Sequence, residues 1–308
     1  MKEMIAEIMR EEMMRDSKDY YFMAGLPRSG STLLSAILNQ NPKFYSGPSS
    51  PVTGLMFMLE NTLNQDELFK AYPKNEQAAR IISNVIRDYY SDVEESVIFD
   101  KNRSWVNRIH YISGYIGVEP KIICPVRNLD EIFTSFITMH RRNPYEVNGR
   151  INFIDEMLVK SNIPLTDDNR CQFLASDNGI VGQSYNGIKQ ALIQGYQRYI
   201  HFIEYDDLIN EPENTIKKLY DFLDEEYYDH DFKNLENIHQ EADSSVYGFT
   251  DMHDVRKELE KTSPDPTEIL SEFITNQCKN AEFWRDLDEI DTANNDNSDE
   301  TNSTFIGA

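Results

Sequence analysis

The sequence predicts a three-layer α/β fold, with a central parallel sheet flanked by helices on both faces. Three observations carry this. Short apolar runs alternate with longer segments of helical period. The first run breaks into a glycine-bracketed loop, Gly25-Leu26-Pro27-Arg28-Ser29-Gly30-Ser31-Thr32, just ahead of a helix. Arg28, Lys101, Arg103 and Arg127 all fall at or just beyond the ends of apolar runs. Parallel strands buried on both faces read as continuous apolar runs. Ligands of such sheets sit beyond the carboxyl ends of the strands.

The elements follow in order. A strand is expected over 19–25, then a helix over 32–40 whose Leu33, Leu34, Ile37 and Leu38 recur at helical spacing. Helices fill the chain to about residue 90, and a strand over 96–100 ends in the polar cluster Asp100-Lys101-Asn102-Arg103. A helix over 104–115 and a strand over 121–126, which includes Pro125, come next. Asn128 with Glu131 three positions on is a capping-box-like start for a helix over 129–140, with Ile132, Phe133, Phe136 and Ile137 on its apolar face. Residues 141–182 show no clean period and form a candidate acceptor-side lid. A helix (183–198), a strand (200–205) and an amphipathic helix from Thr215 to Leu223 complete the core.

At 308 residues, one domain over 1–285 is expected. Residues 1–16 read as a helix without the apolar core of a signal peptide. Residues 286–308 form an acidic tail without Lys or Arg, expected to be disordered. Cys124, Cys171 and Cys278 make neither a zinc pattern nor a disulfide framework, which points to a reducing cytoplasm. No run is long enough to span a bilayer. The formal charge of −23 argues against nucleic acid or an anionic membrane as partner. It also makes the cations at strand ends informative, because an acidic chain that clusters them there needs local positive potential.

A strand, a tight loop and a helix N-terminus form an anion site, since unpaired N–H groups and the helix dipole converge. The loop nearly matches the triphosphate loop G-x-x-x-x-G-K-[ST], but Ser31 stands where the lysine belongs. Pro27-Arg28-Ser29-Gly30-Ser31-Thr32-Leu33 resembles the 5′-phosphosulfate loop of sulfotransferases. These enzymes use 3′-phosphoadenosine 5′-phosphosulfate (PAPS) as sulfuryl donor and share a P-loop NTPase-like architecture.

The resemblance implies that residues Pro27 to Leu33 hold the 5′ end of the donor. Arg127 and Ser135 have the spacing of the family's 3′-phosphate pair. Lys101 lies where the family places a cation against the transferred group, and Arg103 could reach donor or acceptor. Arg256 or Lys257 occupies the place of a basic loop over the 3′-phosphate. The reaction implied is in-line attack of an acceptor hydroxyl or amine on sulfur, with adenosine 3′,5′-bisphosphate (PAP) leaving and no metal required. Arg28 would stabilise the bridging oxygen. Asp100, His110 and His140 are the candidate bases. Two alternatives stay open. One is a nucleotide kinase or NTPase using Asp100 as a metal-binding acid; the other is a degenerate nucleotide-binding module. The acceptor is not identified.

Overall fold

The computed structural model describes residues 18–261 and 263–286. The expectations for residues 1–16 and for 287–308 lie outside the described residues. Five parallel strands form the central sheet: β1 (Asp19–Met23), β2 (Phe44–Ser49), β3 (Val97–Lys101), β4 (Ile122–Val126) and β5 (Ile200–Glu204). Their spatial order is β2-β3-β1-β4-β5. β1 pairs with β3 from Asp19↔Val97 to Met23↔Lys101, and with β4 at Phe22↔Ile122 and Met23↔Ile123. The chain winds to one side of β1 through β2 and β3, then to the other through β4 and β5. The loop after β1 therefore lies at the switch point, where a crevice opens between diverging connections.

The inner strands β3 and β4 are buried along their whole length. Period-2 alternation sends Phe22, Ile98, Ile122 and Cys124 to one face, among the larger core cluster. Met23, Phe99 and Ile123 point to the other face, against α1 (Ser31–Leu38). The larger core lies under α2 (Val52–Gln65), α3 (Asn75–Tyr89), α4 (Leu129–Arg142) and α5 (Ile180–Ile193); α6 (Pro212–Leu223) joins α1 on the opposite face. This is the three-layer arrangement expected.

Three segments differ from the sequence expectation. β2, Phe44-Tyr45-Ser46-Gly47-Pro48-Ser49, carries Gly and Pro, and its register against β3 shifts between Ser46 and Ser49. An edge strand with a bulge tolerates both residues, so β-propensity does not reveal it. The helix expected over 104–115 is a chain of tight and wide turns: 3₁₀ at Arg103–Asn107, α at Ile109–Tyr111 and π at Ile112–Ile116. Residues 141–182 contain an antiparallel pair of two-residue strands and the helices Phe153–Lys160 and Asp167–Ala175.

Pro125 breaks no ladder. Its nitrogen faces the point where β1 has ended: a Cβ on Gly25 would stand 2.7 Å from that nitrogen and 2.1 Å from the Pro125 carbonyl oxygen. Only glycine fits at 25. That approach lets the Leu26 N–H donate to the Pro125 carbonyl at 2.9 Å, anchoring the loop on β4.

Candidate functional site

A cavity of about 1200 Å³ opens at the carboxyl ends of the strands. Its floor is the loop after β1. Arg28 has φ 60° and Gly30 φ 87°, two left-handed residues that turn the chain into α1. A Cβ on Gly30 would come within 2.9 Å of the Tyr205 ring, so glycine is required here for space as well as conformation. Gly30, Ser31, Thr32 and Leu33 line the cavity, α1 has no acid in its first turn, and no side chain caps it. Its first N–H groups are thus available to an anion. Ser29 is fully buried and turns away, its hydroxyl against the carbonyls of Leu26 and Pro125, the latter at 2.8 Å. Its side chain holds the loop and does not line the cavity.

Side chains from four elements converge on this floor. Arg28 Nε donates to Ser135 Oγ at 3.1 Å, and its guanidinium also donates to the Met252 carbonyl. Arg127, just past β4, is buried and stacks on the Tyr205 ring at 4.1 Å. It donates to Glu131 at 2.8 Å, to the Arg28 carbonyl at 3.2 Å and to Ser263 at 2.6 Å. Burial lowers the Arg28 pKa from its ordinary value; Asp251 opposes this, while Arg127 and Arg142 push it lower. Guanidinium groups that repel one another in a chain this acidic form a pocket suited to a bound anion. Thr138, one turn after Ser135, lines the cavity with a buried hydroxyl that finds no partner among the described residues. A hydroxyl so placed fits a ligand oxygen.

Lys101, at the end of β3, is 6 % exposed and lies 3.6 Å from Glu241. Burial lowers its pKa, and Glu241 acts against that shift. Arg103, Arg256 and Lys257 line the cavity too, all three from exposed positions. Arg256 pairs with Glu260 at 3.3 Å.

None of the three base candidates lines the cavity. Asp100 is fully buried and accepts from Ser50 Oγ at 2.6 Å, Tyr90 OH at 2.8 Å and Trp105 Nε1 at 2.6 Å. Burial raises its pKa although all three hydrogen bonds pull it down. It sits on the Ile98 face of β3, one residue and one face away from Lys101, and takes no part in lining the cavity. His140 likewise stands outside the cavity wall. Its Nε2 meets Asp155 Oδ2 at 2.8 Å, and Arg170 Nε donates to Asp155 Oδ1 at 2.7 Å. Burial opposes the Asp155 charge, but His140 and Arg170 outweigh it and hold the carboxyl well below the usual range. His110 is exposed and packs edge-to-face on Tyr111, also outside the cavity. Of residues 141–182, Arg142 alone lines it.

The far wall is the stretch 234–260, of which the sequence singled out only the end. It brings Glu241, Asp243 and His253 together, with ligand atoms within 4.8 Å of one another. That spacing could hold a divalent cation, although Lys101 shares the Glu241 carboxylate. Tyr205, which the sequence places only at the end of the strand over 200–205, supplies the surface under Arg127. The only sequence signal for this wall is the run of acids, Asn and His between residues 234 and 254. Cys124, Cys171 and Cys278 are buried and unpaired, and no described helix is long and apolar enough to cross a membrane.

A family model described as the sulfotransferase family matches residues 21–229. Among solved structures, the chain is similar to a sulfotransferase domain from the curacin biosynthetic pathway, at 16% identity and TM-score 0.50, over 84% of this chain and 97% of that one. It is also similar to a mouse sulfotransferase complexed with PAP, at 12% identity and TM-score 0.49, over 90% and 89% of the two chains. At such identity the likeness concerns fold alone. No curated protein sequence matches the chain.

Proposed function

The chain belongs to the sulfotransferase family, and on that premise we propose that it moves a sulfuryl group from PAPS to an acceptor hydroxyl or amine. The observation that carries the reading is the pairing of two cationic stations in one cavity. The loop N–H groups with Lys101 form one; Arg127 with Ser135 forms the other, and Arg28 reaches between them. A donor with a phosphosulfate at one end and a terminal phosphate at the other needs two such stations.

The bound donor supplies an activated sulfuryl group on a phosphate leaving group. Loop N–H groups and the Arg28 guanidinium stabilise the bridging oxygen as it gains charge. Lys101 holds the sulfuryl oxygens, and its Glu241 partner keeps the ammonium in place. Arg127 presents a planar fork to the 3′-phosphate, backed by the Tyr205 ring. Arg103 and residues 234–254 of the far wall face the acceptor, with Arg256 and Lys257 over the donor. The sulfuryl group carries less charge than a γ-phosphoryl group, so these cations suffice without a metal ion. A kinase reading needs a metal-binding acid, and Asp100, saturated by three donors in the core, does not supply one.

The test is thermal stabilisation. PAP without magnesium should raise the melting temperature, by mass action on the folded state, and Mg·ATP should not. No shift with millimolar PAP would refute the reading. Incubation with radiolabelled PAPS and candidate acceptors then separates an active enzyme, which labels an acceptor, from a module that only binds.

A further inference from the structure

Sulfuryl transfer to a hydroxyl or amine releases a proton, and Asp100 and His140 are both turned away from the cavity. We propose that His253, clamped by Asp243, is the general base that takes this proton. The inference rests on the sulfuryl-transfer reading above.

The geometry is that of an oriented imidazole. His253 lines the cavity, and its side chain is 17% exposed. Asp243 holds it at two points: Oδ2 accepts the His253 backbone N–H at 2.9 Å, and Oδ1 lies 2.6 Å from ring Nδ1. On the other side the His253 carbonyl accepts from Asn237 Nδ2 at 3.1 Å. A carboxylate only accepts, so Nδ1 carries the proton and the lone pair is on Nε2. Among the described residues Nε2 has no hydrogen-bond partner. Asp243 thus fixes the tautomer and stabilises the imidazolium that forms, as a carboxylate does behind any histidine base.

Glu241 joins this pair to the charge-neutralising cation. Its Oε1 lies 3.6 Å from Lys101 Nζ and its Oε2 3.5 Å from His253 Nδ1. One carboxylate therefore separates the base from the ammonium expected on the sulfuryl oxygens. Glu241 is itself a poor base, because Lys101, the Ser49 N–H at 3.3 Å and His253 already occupy its oxygens. The charged and titratable groups around the His253 ring are Asp243, Glu241 and Tyr247, whose ring lies 5.8 Å away, with Lys101 and Arg103 beyond them.

In the step itself, the acceptor oxygen or nitrogen attacks sulfur while its proton passes to His253 Nε2. The new bond to sulfur forms as the bridging S–O bond breaks, and that electron pair leaves on the 5′-phosphate of PAP. The imidazolium then returns its proton to solvent. Asp243 is a positioning residue; His253 is the group that meets the acceptor.

Water serves as the test acceptor, so no natural acceptor need be known. PAP affinity is measured by calorimetry, and conversion of PAPS to PAP and sulfate is followed by product release. His253→Ala should bind PAP as the wild type does and hydrolyse PAPS on the order of 100-fold or more slowly. Added imidazole should restore much of the loss. Asp243→Asn should also slow PAPS hydrolysis while leaving PAP affinity unchanged, because the ring loses the carboxylate that fixes its tautomer. If the wild type fails to bind PAP, the sulfuryl-transfer reading falls and the base falls with it. If PAP binds but His253→Ala keeps the wild-type rate, or the wild type is no faster than buffer, the base assignment alone is overturned. A rate abolished by EDTA and restored by zinc would make these three residues metal ligands and overturn it as well.

Discussion

Replacing Arg127 by Met separates the 3′-phosphate station from the rest of the site. Met keeps an unbranched apolar stem against the Tyr205 ring and removes the charged fork. The fold should tolerate this. Glu131, which loses a partner at 2.8 Å, keeps Lys261 at 2.9 Å and is not left as a lone buried charge. Ser263 can turn its hydroxyl, and only the Arg28 carbonyl, met at 3.2 Å, loses its Arg127 donor outright. The stability cost is then about 2–3 kcal/mol, one hydrogen bond from a charged donor plus part of a stacking contact, below the roughly 3–5 kcal/mol of a broken buried pair. The binding cost is a hydrogen bond between charged groups, about 1.5–3 kcal/mol, which is roughly 10- to 150-fold in affinity. Calorimetry with two ligands isolates it. PAP should lose that factor, and adenosine 5′-phosphate, which lacks the 3′ group, should lose almost nothing. Equal losses for both ligands, or an unchanged PAP affinity, would show that Arg127 does not read the 3′-phosphate.

Three further outcomes follow from the same contacts. Lys101→Met should leave PAP affinity within a few-fold of wild type, because PAP lacks the sulfuryl group, and should cut PAPS turnover on the order of 100-fold or more, read in a PAP-release assay. Asp155→Asn strips His140 and Arg170 of their shared carboxylate and should cost about 3–5 kcal/mol in urea unfolding. The folded pKa of Asp155 is depressed, so its stabilisation is complete above the unfolded carboxyl range, near ~4, and fades as pH falls below it; melting curves of Asp155→Asn should lose part of that acid dependence. Gly25→Ala drives a Cβ to 2.1 Å from the Pro125 carbonyl oxygen, backbone that cannot step aside. It should lower stability by about 1–3 kcal/mol or more and weaken PAP binding by displacing the loop.

What the sequence revealed tracks how local each feature is. The loop from Gly25 to Thr32 was legible because its chemistry sits in eight consecutive residues, and α4 was legible because Ile132, Phe133, Phe136 and Ile137 keep one period. β2 was not, since an edge strand can hold Gly47 and Pro48 against every propensity. The wall from 234 to 260 was hidden for a different reason. Its meaning depends on Glu241 meeting Lys101 and on His253 meeting Asp243, and no periodicity records contacts made by irregular chain.

Asp100 and Lys101 show how far a local reading can be carried. They are neighbours in a polar cluster, and the sequence offers both to the same site. On a strand, adjacent side chains leave by opposite faces. If Lys101 turns toward the cavity, Asp100 must enter the opposite layer, and there a carboxylate survives only with donors around it. Tyr90, Ser50 and Trp105 supply them. The alternation was therefore already sufficient to place Asp100 away from the cavity once Lys101 turned toward it, and under the proposed transfer the proton acceptor then comes from another segment. The residue that the geometry offers, His253, lies on irregular chain with its orientation set by a side chain ten residues away, which is why a search confined to strand ends passes over it.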